Sequence, residues 1–252
     1  MPHEVLRKPT VTGPQKRTGR RSSGSWPAES ERFDNRVDAG RVLGAVVAER
    51  LGPQDADRPL VLGLSRGGVV VAQEVAKHLD ADLDVVVSRK VGLPWRPKIS
   101  VGAIADDGPP VFDHGALAAA MTDVSAARPA IRKERQEIRR KRAQYRGDQP
   151  APAMAKRTVV VADDGLAPSV LARAAVRAVR AEMPATIMYA APVCAAESAD
   201  WLASDVDTIV HLYSPRDFPA LGLWYRDITP VTDDDVAAIL ALMWGRAMTS
   251  VE

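Results

Sequence analysis

Cysteine is nearly absent from this chain of 252 residues, since Cys194 is the only one. A single cysteine excludes an intrachain disulfide and a zinc site built from several cysteines, so packing must stabilise the fold. Aromatic residues make up only 5%, which argues against an extended stacking surface for single-stranded nucleic acid. The chain also lacks any apolar run near the roughly 18 residues of a membrane span, and its N-terminus lacks the apolar core of a signal peptide. We therefore predict a cytoplasmic globular protein with no membrane partner.

Charge is almost balanced overall but unevenly distributed. Residues 5–28 contain six basic side chains and no acidic one, and residues 128–146 contain nine basic side chains against Glu134 and Glu137. The rest of the chain is acidic, although the formal net charge is +2. Residues 1–32 are rich in Pro, Gly and Ser, which predicts a disordered basic tail. Such a tail either binds a polyanion or only keeps the chain soluble.

Helical and strand patterns alternate from Phe33 onward. Apolar spacing predicts a long helix that reaches Tyr145 with a break or kink near Pro129, and further helices over residues 34–51, 69–79, 169–182, 195–203 and 233–248. Short apolar runs predict strands over residues 60–64, 83–88, 158–162, 185–193 and 208–213, and a small hairpin over 101–105 and 111–112. This alternation indicates an α/β fold with a parallel sheet covered on both faces, in one domain of residues 33–252.

Two segments at predicted strand ends, where open α/β sheets bind ligands, are suited to anions. The first contains Ser65, Arg66, Gly67 and Gly68 before a predicted helix, so backbone N–H groups could approach a phosphate closely. The second, residues 88–94, contains the adjacent cations Arg89 and Lys90, which could neutralise phosphate oxygens. Either segment would also be typical of an ordinary turn.

A third segment, residues 159–169, continues a buried strand into Asp163 and Asp164. Two adjacent carboxylates there are electrostatically unfavourable unless a cation or a hydroxyl-rich group meets them, and a sugar diol, with or without Mg²⁺, would do so. The helix predicted to begin at Ser169 could bind a monophosphate at its N-terminus, or Asp164 or Ser169 only caps that helix. Together the three segments suggest a pocket for a phosphorylated sugar.

With these segments in place, the sequence resembles the type I phosphoribosyltransferases, and among them a bacterial group described only by that family name. The resemblance runs from Phe33 to about Val236, roughly four fifths of the chain. Its motifs are FDNRVDAG from Phe33, LSRGG from Leu64, RKVGLP from Arg89, VGAIA from Val101, YRG from Tyr145, the acidic segment above, and LWY from Leu223. It implies a Rossmann-like parallel-sheet fold with a small hood or hairpin insertion.

The resemblance also implies an activity, the transfer of phosphoribose from phosphoribosyl pyrophosphate (PRPP) to an unidentified nitrogenous base. The residues from Ser65 to Gly68 would hold the released pyrophosphate, supported by Arg89 and Lys90. Catalytic carboxylates at Asp163 and Asp164 would hold the ribose hydroxyls. The implied cofactor is magnesium, which the same two carboxylates would bind as metal ligands and which would bridge the leaving group.

The remaining implied roles concern the 5′-phosphate and the base. The 5′-phosphate would lie in the loop that begins with Gly165, Leu166 and Ala167 and contains Ser169. Trp224 and Tyr225 would lie on the side of the acceptor base, although core packing of Trp224 fits the sequence at least as well. A homodimer is a further partner that the resemblance leaves open.

The segment after the acidic pair departs from the family pattern Thr-Gly-x-Thr. It is Pro168-Ser169-Val170-Leu171 here, so Pro168 lacks an N–H donor and only Ser169 has a hydroxyl. Losing two or three hydrogen bonds to a phosphate, at about 1.5–3 kcal/mol each, would weaken binding by several powers of ten.

Two hypotheses follow from this departure. One is a phosphoribosyltransferase with a remodelled phosphate loop. The other is a non-catalytic protein of the same fold that contacts RNA, the ribosome or another partner through residues 5–28 and 128–146. For the helix at 128–146 itself, a solvated face beside the acidic body is the favoured interpretation.

Overall fold

The computed structural model of the protein describes residues 10–12, 27–52, 59–167 and 170–249. Its strands are β1 (Thr10–Thr12), β2 (Leu60–Leu64), β3 (Asp82–Val86), β4 (Ser88–Leu93), β5 (Arg96–Ala105), β6 (Val111–Phe112), β7 (Thr158–Ala162), β8 (Thr186–Val193) and β9 (Thr208–Tyr213). Its α-helices are α1 (Arg36–Arg50), α2 (Ser65–Leu79), α3 (His114–Ala119), α4 (Arg128–Arg146), α5 (Val170–Ala181), α6 (Ala196–Leu202) and α7 (Asp233–Thr249).

The main sheet is parallel throughout, with its strands in the order β1-β9-β8-β7-β2-β3. Every residue of β2 and β7 is buried, as expected for apolar strands that are covered on both faces. Val61 and Val160 pack into one cluster with side chains from α1, α2, α4 and α7, whereas Leu62 and Val161 pack into a second with α5 and α6. The predicted α/β fold with a covered parallel sheet is confirmed.

A second, antiparallel sheet has the strand order β4-β5-β6. The predicted hairpin corresponds to β5 and β6, where Gly102 pairs with Phe112 and Ala103 with Val111. Arg89 and Lys90 lie within β4, paired with Ile104 and Ala103. These residues were expected to follow the end of a strand, and that prediction was wrong, because pairing with the following strand β5 makes this glycine-containing segment extended.

One further boundary differs from the prediction. Helix α2 begins at Ser65, so the glycine pair forms its first turn instead of a loop before it. The break expected near Pro129 in the long helix is present, since a 3₁₀ turn at Val124–Ala127 separates α3 from α4, and proline occupies the first turn of α4. Proline is tolerated there because the first N–H groups of a helix have no intrahelical acceptor.

Part of the predicted disordered tail has regular structure. Thr10, Val11 and Thr12 form β1, an edge strand paired in parallel with Thr208, Ile209 and Val210 of β9. Three consecutive β-branched residues favour the extended backbone, and their pairing satisfies the free edge of β9. The disorder prediction was wrong for these residues, and residues 1–9 and 13–26 lie outside the described part of the chain.

Four of the nine basic side chains of α4 are paired with carboxylates of the same chain. Arg140 bonds Glu137, Lys141 bonds Asp233, Arg142 bonds Asp107 and Arg146 bonds Asp84. This pairing supports the interpretation of α4 as a helix face beside an acidic body. It also removes part of the positive charge that binding to RNA would require.

Asp106, in the turn after β5, gives a prediction about pH. Its side chain is 15% exposed, and burial raises the pKa of its carboxyl from 3.8 to about 6, although Arg142 at 3.9 Å opposes the shift. Because the folded protein binds this proton more tightly than the unfolded chain does, stability falls as pH rises from about 4 to about 7. We expect D106N to abolish this pH-dependent loss, which amounts to up to about 3 kcal/mol in the free energy of unfolding.

Urea unfolding of wild type and D106N at pH 4.5 and pH 8 measures this effect. The variant should be the more stable protein at pH 8 and close to wild type at the lower pH. Comparing the difference between the two proteins removes the contribution of the other carboxyls that titrate in this range. An equal difference at both pH values would show that the titration of Asp106 is not its source.

Candidate functional site

The order of the strands places two of the predicted segments side by side. Gly63 of β2 pairs with Ala162 of β7, so Ser65 and Asp164 follow directly at the same edge of the sheet. β3 lies on one side of β2 and β7 on the other, which makes the gap between β2 and β7 the point where the chain reverses its direction of winding. Open α/β sheets bind ligands in the crevice at such a point.

The first turn of α2 lies against the acidic segment, and this contact requires glycine. A Cβ added at Gly68 would lie 2.8 Å from the carbonyl oxygen of Ala162, and one at Gly67 would overlap Oδ2 of Asp164. Ser65 and Arg66 are exposed at the helix N-terminus, and Ser65 has a left-handed φ of +59°. Non-glycine residues rarely adopt that φ outside functional sites and tight turns.

Asp164 is held by two side chains from distant parts of the sequence. Nε of Arg36 lies 2.8 Å from Oδ2 of Asp164, and both side chains are mostly buried, with 13% and 14% exposed. The hydroxyl of Tyr225 donates to the backbone oxygen of Asp164 at 2.6 Å. Arg36 also donates to the carbonyl oxygen of Thr229 at 2.9 Å, so two acceptors, Asp164 and Thr229, fix the position of its guanidinium group.

Asp163 has a different environment from its neighbour. Its Oδ2 accepts from the hydroxyl of Tyr189 at 2.9 Å, and its Oδ1 accepts from the backbone N–H of Asp164 at 2.9 Å. Burial, followed by the charge of Asp164, raises the pKa of Asp163 well above its ordinary value. A buried carboxylate beside a second one is costly to keep charged, so a cation or a hydroxyl-rich ligand would relieve the repulsion.

Arg36 and Tyr189 were not among the residues predicted for the site. Arg36 lies in the FDNRVDAG motif, and Asn35 caps the helix that begins there by accepting from the N–H of Asp38. Tyr189 is the only aromatic residue of β8 and is fully buried. A lone arginine in a family motif was a signal that could have been used, whereas a tyrosine in an apolar strand carries none.

The two predicted cations of the second segment differ in position. Arg89 lines a cavity of about 440 Å³ together with Ser65 and Arg66, and its Nε lies 2.7 Å from Glu134. Lys90 is exposed and does not line this cavity. The structure thus brings Arg89, but not Lys90, to the segment at the start of α2.

The predicted phosphate loop is only partly described. The N–H of Leu166 donates to Val193 at 2.8 Å, and its buried side chain packs in the core, so it offers neither a donor nor a surface to a phosphate. This corrects the prediction for Leu166. Gly165 and Ala167 are partly exposed beside it, whereas Pro168 and Ser169 lie outside the described residues.

Trp224 and Tyr225 are core residues. They are 2% and 1% exposed, and the ring of Trp224 lies 5.3 Å from that of Tyr213, whereas the ring of Tyr225 lies 5.6 Å from that of Phe33. Their rings therefore offer no free face to an acceptor base, and core packing is the correct interpretation. Tyr225 still contributes to the site through its hydroxyl, which supports the backbone of Asp164.

Magnesium would have two carboxylates at this site. Among the described residues no group of three or more His, Cys, Asp or Glu side chains could hold a metal ion by itself. Mg²⁺ keeps several waters and binds through one or two carboxylates plus the phosphates of a substrate, so Asp163 and Asp164 fit an ion that arrives with a phosphorylated ligand.

Gly67 provides a test of the contact between α2 and the acidic segment. The Cβ of G67A would overlap Asp164 and lie 2.9 Å from Nε of Arg36, so the ion pair must shift. We expect a loss of about 1–3 kcal/mol in the free energy of unfolding. Gly245 in α7 has open space where a methyl group would be added, so the matched variant G245A should gain about 0.5–1 kcal/mol. Urea titration of both variants measures the contrast, and equal stabilities would contradict the tight packing at Gly67.

The fold and this site define an α/β protein whose ligand crevice lies at the carboxyl edge of a parallel sheet, between an acidic pair and a glycine-containing helix start. The crystal structure of the protein TT1426 from Thermus thermophilus is similar, with a TM-score of 0.69 and 39% sequence identity over 84% of this chain and 99% of that one. Two curated Mycobacterium tuberculosis proteins, of strains CDC 1551 and H37Rv, are each 38% identical over 208 residues. Both are provisionally named phosphoribosyl transferase.

The chain belongs to this phosphoribosyltransferase family, and the resemblance to it is confirmed. The alignment covers 82% of this chain but 46% of the mycobacterial proteins, so the chain spans about half the length of these relatives. No family model matches the sequence. None of the helices in the described ranges combines the length and the apolar character needed to cross a membrane.

Proposed function

We propose that the protein binds PRPP in the crevice between β2 and β7 and transfers its phosphoribosyl group to a nitrogenous base, with release of pyrophosphate. The observation that carries this proposal is the contact between the Asp163–Asp164 pair and the first turn of α2. Carboxylates that can accept from sugar hydroxyls lie there against backbone N–H groups that can donate to phosphate. Membership of the phosphoribosyltransferase family supports the same reaction class.

The residues of the chain would act mainly by positioning and by charge. Asp163 and Asp164 accept hydrogen bonds from the ribose hydroxyls and stabilise positive charge that develops at the anomeric carbon. Arg36 and Tyr189 hold these carboxylates in place, so little reorganisation is needed when the sugar binds. The N-terminus of α2 and Arg66 receive the negative charge of the departing pyrophosphate. When bound, magnesium would supply further charge neutralisation of the pyrophosphate, held by the acidic pair.

Titration calorimetry with PRPP and magnesium tests the proposal. We expect magnesium-dependent binding in the micromolar range, and pyrophosphate release from PRPP when the acceptor base is present in a panel of purines and pyrimidines. Absence of binding at millimolar PRPP would refute the function. Binding without turnover of any base would leave a PRPP-binding protein and refute the transferase.

A further inference from the structure

A polar cavity of about 440 Å³ lies on the β3 side of β2, whereas the acidic pair follows β7 on the other side. It is formed where the start of α2, the junction of β3 and β4, and the middle of α4 meet. The cations on its wall are Arg66, Arg89 and Lys141, and the hydroxyl groups on its wall belong to Ser65, Ser88 and Tyr145. Three cations and three hydroxyls around a cavity of this size are suited to an oxygen-rich anion.

Lys141 is the least expected of these residues, because it comes from the arginine-rich helix. Its side chain is only 13% exposed, and its Nζ lies 2.7 and 2.9 Å from the two carboxylate oxygens of Asp233 at the start of α7. The hydroxyl of Tyr145 donates to the same carboxylate at 2.6 Å. An ammonium group has three donors, so two contacts with Asp233 leave capacity for an anion oxygen.

Arg66 lies on the same cavity wall as Lys141 and Tyr145. The pKa of Asp233 is lowered first by the hydrogen bond from Lys141, then by that from Tyr145, and further by the charges of Lys141 and Arg66. Glu137 is an acidic residue on the wall, and it bonds Arg140 on the outside of the helix. The cations of the cavity therefore come from α2, β4 and α4, with Arg89 paired to Glu134 and Lys141 paired to Asp233.

The hydroxyl of Ser88 gives an independent indication of a ligand. Its oxygen is buried and has no hydrogen-bond partner among the described residues. Buried polar groups are nearly always hydrogen-bonded, so an unpaired one in a cavity wall calls for a ligand or a water molecule. A phosphate oxygen in the cavity would accept from this hydroxyl.

We infer that Lys141 of α4 is a further ligand of the pyrophosphate group, on the same cavity wall as Arg66 and Arg89. Two donors of the ammonium group bind Asp233, and the third is left for an oxygen of the anion. The inference rests on the proposed function for the origin of the diphosphate, which would be the pyrophosphate end of PRPP. It adds to that function a binding residue from α4, a helix whose other charged side chains lie mainly at the protein surface.

Calorimetry with inorganic pyrophosphate tests the role of Lys141. We expect K141Q to weaken pyrophosphate binding at least tenfold and K141R to restore most of it. R139Q, which removes an exposed charge from the same helix, should bind within twofold of wild type. Absence of pyrophosphate binding by wild type, or equal effects of K141Q and R139Q, would overturn the inference.

The variant D233N separates ligand binding from helix packing. If Lys141 serves only to tie α4 to α7, D233N should weaken pyrophosphate binding as much as K141Q does. If Lys141 contacts the anion, D233N should retain binding within threefold, since the lysine keeps its charge. Thermal melts of each variant confirm that the folded state is compared in every case.

Two further ligands separate this inference from the proposed function. K141Q should weaken the binding of PRPP but not of ribose 5-phosphate, which lacks the diphosphate. PRPP binding that depends on Asp163 and Asp164 but not on Lys141 would refute the inference alone. Pyrophosphate binding that depends on Lys141, in a protein that does not bind PRPP, would refute the proposed function and retain the diphosphate site.

Discussion

Replacing Asp163 and Asp164 together with asparagine is expected to reduce magnesium-dependent binding of PRPP by a factor of at least 100. Each carboxylate would lose a charge-assisted hydrogen bond to a ribose hydroxyl, at about 1.5–3 kcal/mol. Two such losses correspond to a factor of about 10² to 10⁴ in the dissociation constant. The asparagine side chains have nearly the same shape, so the contact with the first turn of α2 is preserved.

The same double variant should be close to wild type in stability. Asp163 is partly buried beside a second carboxylate, and the pKa of Asp163 is raised by burial and by that neighbour, so removal of both charges relieves a repulsion. This gain opposes the loss of the ion pair between Arg36 and Asp164. A large loss of binding with little change in stability is typical of residues kept for function. D148N, at an exposed position after α4, is the control and should bind normally. PRPP binding within threefold of wild type in the double variant would contradict the role of the acidic pair.

Replacing Arg146 with methionine is expected to destabilise the protein by about 3–5 kcal/mol, which is a large fraction of the stability of a domain. Arg146 and Asp84 form a buried ion pair with 6% and 1% of their side chains exposed. Nε of Arg146 lies 3.0 Å from both oxygens of Asp84, and Nη2 donates to the carbonyl of Val85. Without the guanidinium, Asp84 would be a buried carboxyl that has lost its ion-pair partner.

The double variant R146M/D84L distinguishes an unpaired charge from a loss of packing. Buried ion pairs can often be replaced by apolar residues of similar volume with little cost, so the double variant should recover most of the lost stability. Urea unfolding at pH 7 measures all three proteins. A loss below about 1 kcal/mol in R146M would contradict the structural role of the pair.

Several elements were predictable from local patterns because their residues are buried on both faces. The predicted strands 158–162 and 208–213 agree with β7 and β9 residue by residue, since their apolar runs end at polar or turn residues. The strand β4 was missed because its sequence contains glycine and precedes proline, and only its pairing with β5 makes it extended. The edge strand β1 was missed for a different reason, since its partner β9 is almost two hundred residues away.

The candidate site divides in the same way. An acidic pair after an apolar strand and a glycine pair after another were visible in the sequence, and the parallel sheet then places them at one edge. The partners of the acidic pair were not visible, because Arg36 and Asp164 are 128 positions apart and no local period connects them. The roles of Trp224 and Tyr225 were also decided by packing, since an aromatic side chain suits a core and a ligand face equally well.

The sequence by itself determined the class of fold, the order of its elements and the position of the Asp163–Asp164 pair at a strand end. Apolar periodicity and turn residues are local properties, and they are sufficient for these conclusions. The tertiary structure alone decided that Arg36 and Tyr189 hold the acidic pair and that Lys141 of α4 faces the start of α2. These contacts join residues that are remote in the chain, and the order of strands and the packing of helices bring them together.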